Sequence, residues 1–164
     1  MGGANYGWCL EENTGLAGGG GVFRGWNGER LGGFVEKMGV HSSVRAKLRA
    51  VLRGLLLARE KGYKKLVVYV DSIIVVGLLK GNMTCSARNN AIVQRCRSLL
   101  GSPAWEVVMV HCFREANQVV DDLANLGIGL DCEFMYFNDP PREVSTSLYA
   151  DREGAKFSRF IVDQ

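Results

Sequence analysis

Proline is scarce in this chain, three in 164 residues, and the only two histidines stand 70 positions apart. So few prolines leave most of the chain free to run as uninterrupted helix or strand. An excess of either charge is also missing: twenty lysines and arginines against seventeen acids give a formal net charge of +3. That balance permits contact with a polyanion but lacks the dense basic stripe of a dedicated nucleic-acid binder. No apolar run approaches the roughly 18 residues of a membrane span, so no membrane partner is expected. No charged N-terminal region leads into an apolar core, so a signal peptide is not expected. Met1-Gly2 opens like a myristoylation site, but Tyr6 stands where that motif needs Ser or Thr. The five cysteines, Cys9, Cys85, Cys96, Cys112 and Cys132, form no close pair and no metal-ligand spacing. They read as buried thiols of an intracellular protein in a reducing compartment, nucleus or cytoplasm.

What is present is ordinary globular composition, 47% hydrophobic and 23% charged, with glycine high at 21 residues. A chain of this length makes one domain that folds without staples. A single domain is expected over residues 1–164, with its core from about 5 to 127 and a C-terminal extension over 128–164. Asn5 to Leu10 is a short apolar-aromatic stretch, followed by a turn from Glu11 to Gly15. Gly20 to Trp26 reads as a strand, Asn27-Gly28 as a two-residue hairpin signal, and Leu31 to Lys37 as the returning strand. Ser42-Ser43 can cap a helix from Val44 to about Lys61, with Val44, Leu48, Val51, Leu52, Leu55 and Leu56 at helical spacing and Gly62 ending it. Leu66 to Val70 is a continuous β-branched run, the mark of a buried central strand. Helices are then expected over Ile73–Lys80, Arg88–Leu100 and Ala116–Leu126, with a strand from Trp105 to Phe113 between the last two. Three meandering strands followed by alternating helices and strands make an α/β fold, a five-stranded mixed sheet with helices on both faces. In such sheets function gathers at the carboxyl ends of the parallel strands, and Asp71 lies just past one.

Two segments carry acids to such a place. Val68-Tyr69-Val70-Asp71-Ser72 puts one at a strand end, and Arg114-Glu115-Ala116-Asn117 through Asp121-Asp122 puts others on the first turns of a helix. Two-metal phosphodiester hydrolysis needs several carboxylates converging from different elements on ions about 4 Å apart. Together with Gly15 to Arg24, Ala46-Lys47-Leu48-Arg49-Ala50, His111 to Asn125 and the tail Phe137-Asn138-Asp139-Pro140-Pro141, these segments resemble the plant ribonuclease H-like domain of non-LTR retrotransposons. The resemblance runs from about Asn5 to Val162 and implies a ribonuclease H-like fold.

It also implies four metal-binding carboxylates: one in an Asp-Gly pair on the first strand, one in an Ala-Glu pair on the first long helix, one ending the central strand and one opening the last helix. The last two are here as Asp71 and Asp121. The Asp-Gly place reads Tyr6-Gly7, and the Ala-Glu place reads Ala46-Lys47. An ammonium about 4 Å from a divalent ion is repelled by roughly 8 kcal/mol at an effective dielectric near 20. Lys47 is therefore expected to exclude at least one metal and to pair with Asp71, Asp121 or both. On this reading Asp71 and Asp121 are remnant acids with weak or lost metal binding, and Mg²⁺ or Mn²⁺ is a cofactor only where activity remains. Lys47, Arg114 and Asn117 are the residues expected to meet nucleic acid.

The expectation is a domain that binds RNA or an RNA–DNA hybrid with hydrolysis impaired. Its alternatives are an active hybrid-specific endoribonuclease and a module that meets only a protein partner. Blander roles stand beside these. Asp71 can cap the helix from Ile73, and the row Arg45, Lys47, Arg49, Arg53 can be a solvated face. His111 can be a plain sheet residue and His41 a loop residue. Trp8, Trp26 and Trp105 can belong to the core, and Glu11 and Glu12 lie in a turn beyond the first strand.

Overall fold

The computed structural model describes residues 15–113, 118–139, 141–142 and 160–163. The chain opens with two long strands, β1 (Gly15–Gly25) and β2 (Arg30–His41), paired antiparallel. Their connection is a four-residue loop rather than a two-residue hairpin: Gly25 N–H donates to Glu29 C=O at 2.9 Å, and Gly28 takes φ +82°. Helix α1 (Ser43–Glu60) follows, its first turn closed by the Ser42 hydroxyl, which accepts from Arg45 N–H at 3.2 Å. It ends where Gly62, at φ +77°, lets the chain fold back onto the last carbonyls. Then come β3 (Lys65–Val70), α2 (Ile73–Lys80), α3 (Ala87–Leu100), β4 (Glu106–His111), α4 (Gln118–Ile128), β5 (Phe134–Phe137) and β6 (Phe160–Asp163).

The architecture is α/β, as the alternation of patterns implied, but the described sheet has six strands rather than five, in the order β4-β3-β6-β1-β2-β5. The expected first strand, Asn5 to Leu10, lies outside the described residues. The place between β1 and β3 is held by β6, parallel to β1 through Phe23–Phe160 and antiparallel to β3 through Leu66–Val162. The C-terminal apolar run Phe134 to Phe137 is the edge strand on β2.

Helices cover both faces, and the glycines of β1 show how. A side chain at Gly19 would strike Met38 and Ala50, and one at Gly21 would strike the rings of Phe34 and Phe160. On the other face, a side chain at Gly18 would strike the backbone of α4 at Ala124, and one at Gly20 would strike Leu123. The main core lies under α1 to α3, where Phe23, Phe34, Leu48, Leu55, Val68 and Val75 are fully buried. Each such side chain contributes about 1.5–3 kcal/mol by leaving water. A smaller core of Val22, Val35 and Leu123 lies under α4.

The cysteines depart from a uniformly buried set. Cys96 is buried, but Cys132 is exposed in the turn before β5, and Cys85 and Cys112 are half-buried. Burial pushes the Cys96 thiol up to about 12, so it carries almost no thiolate at neutral pH. A thiol reagent at pH 8 is expected to label Cys132 within minutes and Cys96 only when the protein unfolds. Equal rates at the two positions would contradict this packing.

Candidate functional site

Asp71 is the first residue after β3, and Ser72 caps α2 by accepting Val75 N–H at 3.2 Å. The capping role expected for Asp71 thus falls to its neighbour, and the carboxylate is left for another partner. That partner is Lys47, on the second turn of α1: its Nζ donates to Asp71 Oδ1 at 2.7 Å. The Asp71 side chain is only 3% exposed and that of Lys47 is 31% exposed. The pairing expected from the sequence is therefore present. Losing the ammonium removes one charge partner from a buried carboxylate, and solvent access at Lys47 keeps the expected cost to about 1–3 kcal/mol.

Asp121 enters from the other side of the sheet. Phe160 pairs with Val68 on β3 and with Phe23 on β1. Counting three residues on along β3 and three back along β1 puts Asp71 level with Gly20, over which Leu123 of α4 packs. Asp121 lies in the first turn of α4, two residues before Leu123, so α4 brings it to the same end of the sheet. Tyr6, Arg114 and Asn117 lie outside the described residues, as do Glu11 and Glu12. Among the described residues no cluster of three or more His, Cys, Asp or Glu side chains is arranged to hold a metal ion.

Arg45, Arg49 and Arg53, the other bases of that row on α1, are not a solvated face. Arg49 and Arg53 both bond Glu36 Oε1, at 3.2 and 2.9 Å, and Glu36 is buried on β2. Arg45 donates to the Arg88 carbonyl and to Asn89 Oδ1. Arg45, Arg49 and Arg53 recur every four residues, so they share a stripe that tethers α1 to β2 and α3. Lys47 lies off that stripe and reaches Asp71 instead. The buried partner Glu36 escaped the sequence reading, because an acid inside Phe34-Val35-Glu36-Lys37 looks like the polar half of an alternating strand.

His41 ends β2 rather than sitting in a loop, and its Nε2 lies 3.0 Å from Arg49 Nη1. Burial, followed by the charges of Arg49 and Arg45, lowers its pKa below 6.5. A depressed histidine favours the fold while neutral. Its contribution is complete above pH 6.5 and is lost as pH falls through its lower folded value. A ring titration followed by NMR is expected to give a midpoint below 6.5, and one above 6.5 contradicts the arrangement. His111 is the sheet residue expected, opposite Val70 on β4 with its ring edge-on to Phe113.

Among the large apolar side chains open at this end of the sheet are Phe113 at 75% and Ile73 at 70% exposure, with Leu16 and Val40 paired across β1 and β2. Trp26, expected in the core, is exposed in the β1–β2 loop at the far end, while Trp105 is half-buried with its Nε1 donating to Leu99 C=O. Trp26 borders a groove of about 390 Å³ with Lys65, Val67, Glu106, Val108 and Ile161. The groove lies at the N-terminal ends of β3 and β4, a sheet's length from Asp71, and is not part of the site.

Comparison with known proteins agrees with this architecture. Residues 5–127 match the model of the reverse transcriptase-like family. A protein of Arabidopsis thaliana named as a ribonuclease H protein is 37% identical over 149 residues, 91% of this chain. The chain spans about a quarter (24%) of that relative's length. RNase H1 from the halophilic archaeon Halobacterium salinarum superposes with a TM-score of 0.66 at 24% identity, covering 71% of this chain and 89% of its own. LC11-RNase H1, solved in complex with an RNA/DNA hybrid, gives 0.66 at 23% identity, covering 71% and 88%. Those structural likenesses establish the ribonuclease H-like fold.

Proposed function

This chain belongs to the reverse transcriptase-like family of ribonuclease H-like domains, and from that premise we propose that it binds RNA or an RNA–DNA hybrid with hydrolysis impaired. The observation that carries the proposal is the ion pair of Lys47 with Asp71 at 2.7 Å. A divalent ion at Asp71 would have to displace an ammonium already in hydrogen-bond contact. Lys47 therefore does not fit a pair of metal ions, and no hydrolytic step is derived through them. Mg²⁺ or Mn²⁺ belongs to the site only once that ammonium is gone.

In this reading Asp71 and Asp121 are remnant acids, Tyr6 and Lys47 stand in the places of lost ones, and Lys47, Arg114 and Asn117 meet the backbone phosphates. Lys47 is the described member of that set: its ammonium is partly open to solvent at the carboxyl end of β3. Descent from a plant retroelement domain belongs to this reading, and the relative's plant source is in keeping with its plant part; the scattered cysteines suit a reducing nucleus or cytoplasm.

The test is cleavage of a labelled RNA–DNA hybrid in Mg²⁺ and in Mn²⁺. Wild type is expected to bind the hybrid with steep salt dependence and to leave it uncut. Lys47→Glu combined with Tyr6→Asp is expected to cut it, and adding Asp71→Asn to that pair to stop cutting. Cleavage by wild type that Asp71→Asn abolishes would establish the active endoribonuclease instead. Absence of salt-dependent binding would leave a module for a protein partner.

A further inference from the structure

Leu66, Val68 and Val70 of β3 turn into the core under α1 to α3, so Lys65, Val67 and Tyr69 face the other way. On that other face α4 sits over β1 and β2, above Gly18 and Gly20. Beyond it three branched side chains stand in register, Val108 of β4, Val67 of β3 and Ile161 of β6, with Val108 49% exposed. One row nearer the start of β3, Lys65 stands opposite Glu106, and both are exposed. Trp26 closes the hollow from the β1–β2 loop, where its side chain is 76% exposed. That loop is held from within: Gly25 N–H donates to Glu29 C=O at 2.9 Å, and Arg24 Nη1 donates to Gly28 C=O at 3.2 Å. The indole is therefore presented on a fixed turn beside an apolar floor. At about 390 Å³ the groove falls in the size range of small-molecule sites, roughly 300–1,000 Å³.

This lining suits a flat ligand with apolar faces and a polar edge. An indole and a level row of aliphatic side chains accept the faces of an aromatic ring. Lys65 offers only donors and Glu106 only acceptors, and strand pairing sets their backbones about 5 Å apart. A ligand without a matching edge would desolvate those charges and return nothing. Every nucleobase can stack on an aromatic side chain, so the edge decides among them. Guanine carries a carbonyl, O6, beside two donors, N1–H and N2–H₂. One carboxylate takes both donors at once while an ammonium takes O6. Adenine, cytosine and uracil each offer that carboxylate a single donor group. Lys64, exposed next to Lys65, adds a second positive charge at this end of β3 for a phosphate.

We propose that the groove bounded by Trp26, Lys65 and Glu106 binds an unpaired guanine base. Base pairing uses the same edge, so a guanine inside a duplex or hybrid is withheld from it. The base can arrive as a guanine mononucleotide or as an unpaired residue of an RNA strand, and both carry the same chemistry. The groove lies a sheet's length from Asp71, so this site stands or falls apart from hybrid binding there.

The experiment titrates the full-length chain with GMP, AMP, CMP and UMP, following the Trp26 indole N–H and the Val67 and Val108 methyl groups by NMR. GMP is expected to bind about tenfold more tightly than the other three, the discrimination of one bidentate pair. Trp26→Ala is expected to weaken all four by about tenfold, the loss of one stacking contact. Glu106→Gln is expected to bring GMP to the level of AMP. Both variants replace exposed side chains, so their thermal midpoints are expected to stay at the wild-type value. A short uridine strand carrying one guanosine, run beside the same strand carrying one adenosine, separates the two sources. Binding tighter than GMP points to RNA and binding no tighter to a mononucleotide, with the guanosine strand ahead of the adenosine strand in either case. GMP that binds no more tightly than AMP overturns the proposal, as does a preference for GMP that survives Glu106→Gln. Shifts confined to residues around Asp71 overturn it too. Should a variant fail to fold, the wild-type ranking of GMP over AMP at the Trp26 indole decides alone.

Discussion

Phe160→Ala is expected to remove about 3–5 kcal/mol of stability, the cost of emptying a buried aromatic site. For a domain of this size that lowers the thermal midpoint by roughly 6–20 °C. The ring fills the space over Gly54 and Gly21 and touches Phe23 and Phe34, so its loss opens a cavity at the junction of α1 with both halves of the sheet. The matched control is Phe113→Ala, which removes the same atoms from a side chain 75% exposed and is expected to change stability by less than about 0.5 kcal/mol. Similar losses at the two positions would show that β6 does not hold the centre of the sheet.

Gly18→Val is the second large effect. A side chain at Gly18 meets the carbonyl of Ala124 and the amide of Ile128, both backbone atoms of α4, and neither can turn aside. Overpacking usually costs about 1–3 kcal/mol. Here the helix must lift as a body, so the upper end or beyond is expected, read as a lower denaturant midpoint. The substitution also reaches the site, because α4 carries Asp121 to the end of the sheet where Lys47 meets Asp71. In the Lys47→Glu/Tyr6→Asp background, Gly18→Val is expected to abolish the hybrid cleavage regained there, even below its melting temperature. Gly28→Ala is the contrast: its φ of +82° strains an alanine, but nothing lies within 4 Å, so about 1–2 kcal/mol is expected with no effect at the site. Equal effects at Gly18 and Gly28 would mean that α4 does not rest on β1.

Much of this arrangement was legible in the chain. The β-branched run Leu66 to Val70 could be little other than a buried strand, and Ser42 with Gly62 bracketed α1 to within a residue. The substitution of Lys47 for an expected acid forecast its pairing with Asp71, because charge complementarity at a strand end leaves few other partners. Where local signals competed, the outcome was less legible. Asp71 and Ser72 are both good helix caps, and only the turn of the backbone at the end of β3 shows that Ser72 takes the role. Asn27-Gly28 promised the tightest hairpin, but the register shift between Phe23 and Arg24 lengthened the loop to four residues and carried Trp26 into solvent.

The sequence by itself determined the α/β class, the order of most elements, the family and the pairing of an acid with a lysine at the end of a strand. Each follows from periodicity, capping chemistry or charge, which act over a few residues or through a motif. Three features come from contacts between residues far apart in the chain. Glu36 became the buried anchor of Arg49 and Arg53 because α1 folds back across β2. The glycines of β1 became the seats of two helices because α1 and α4 approach that strand from opposite faces. Phe160 to Val162, three apolar residues near the end, became the centre of the sheet because a ladder between β1 and β3 satisfies backbone groups that no local pattern could assign.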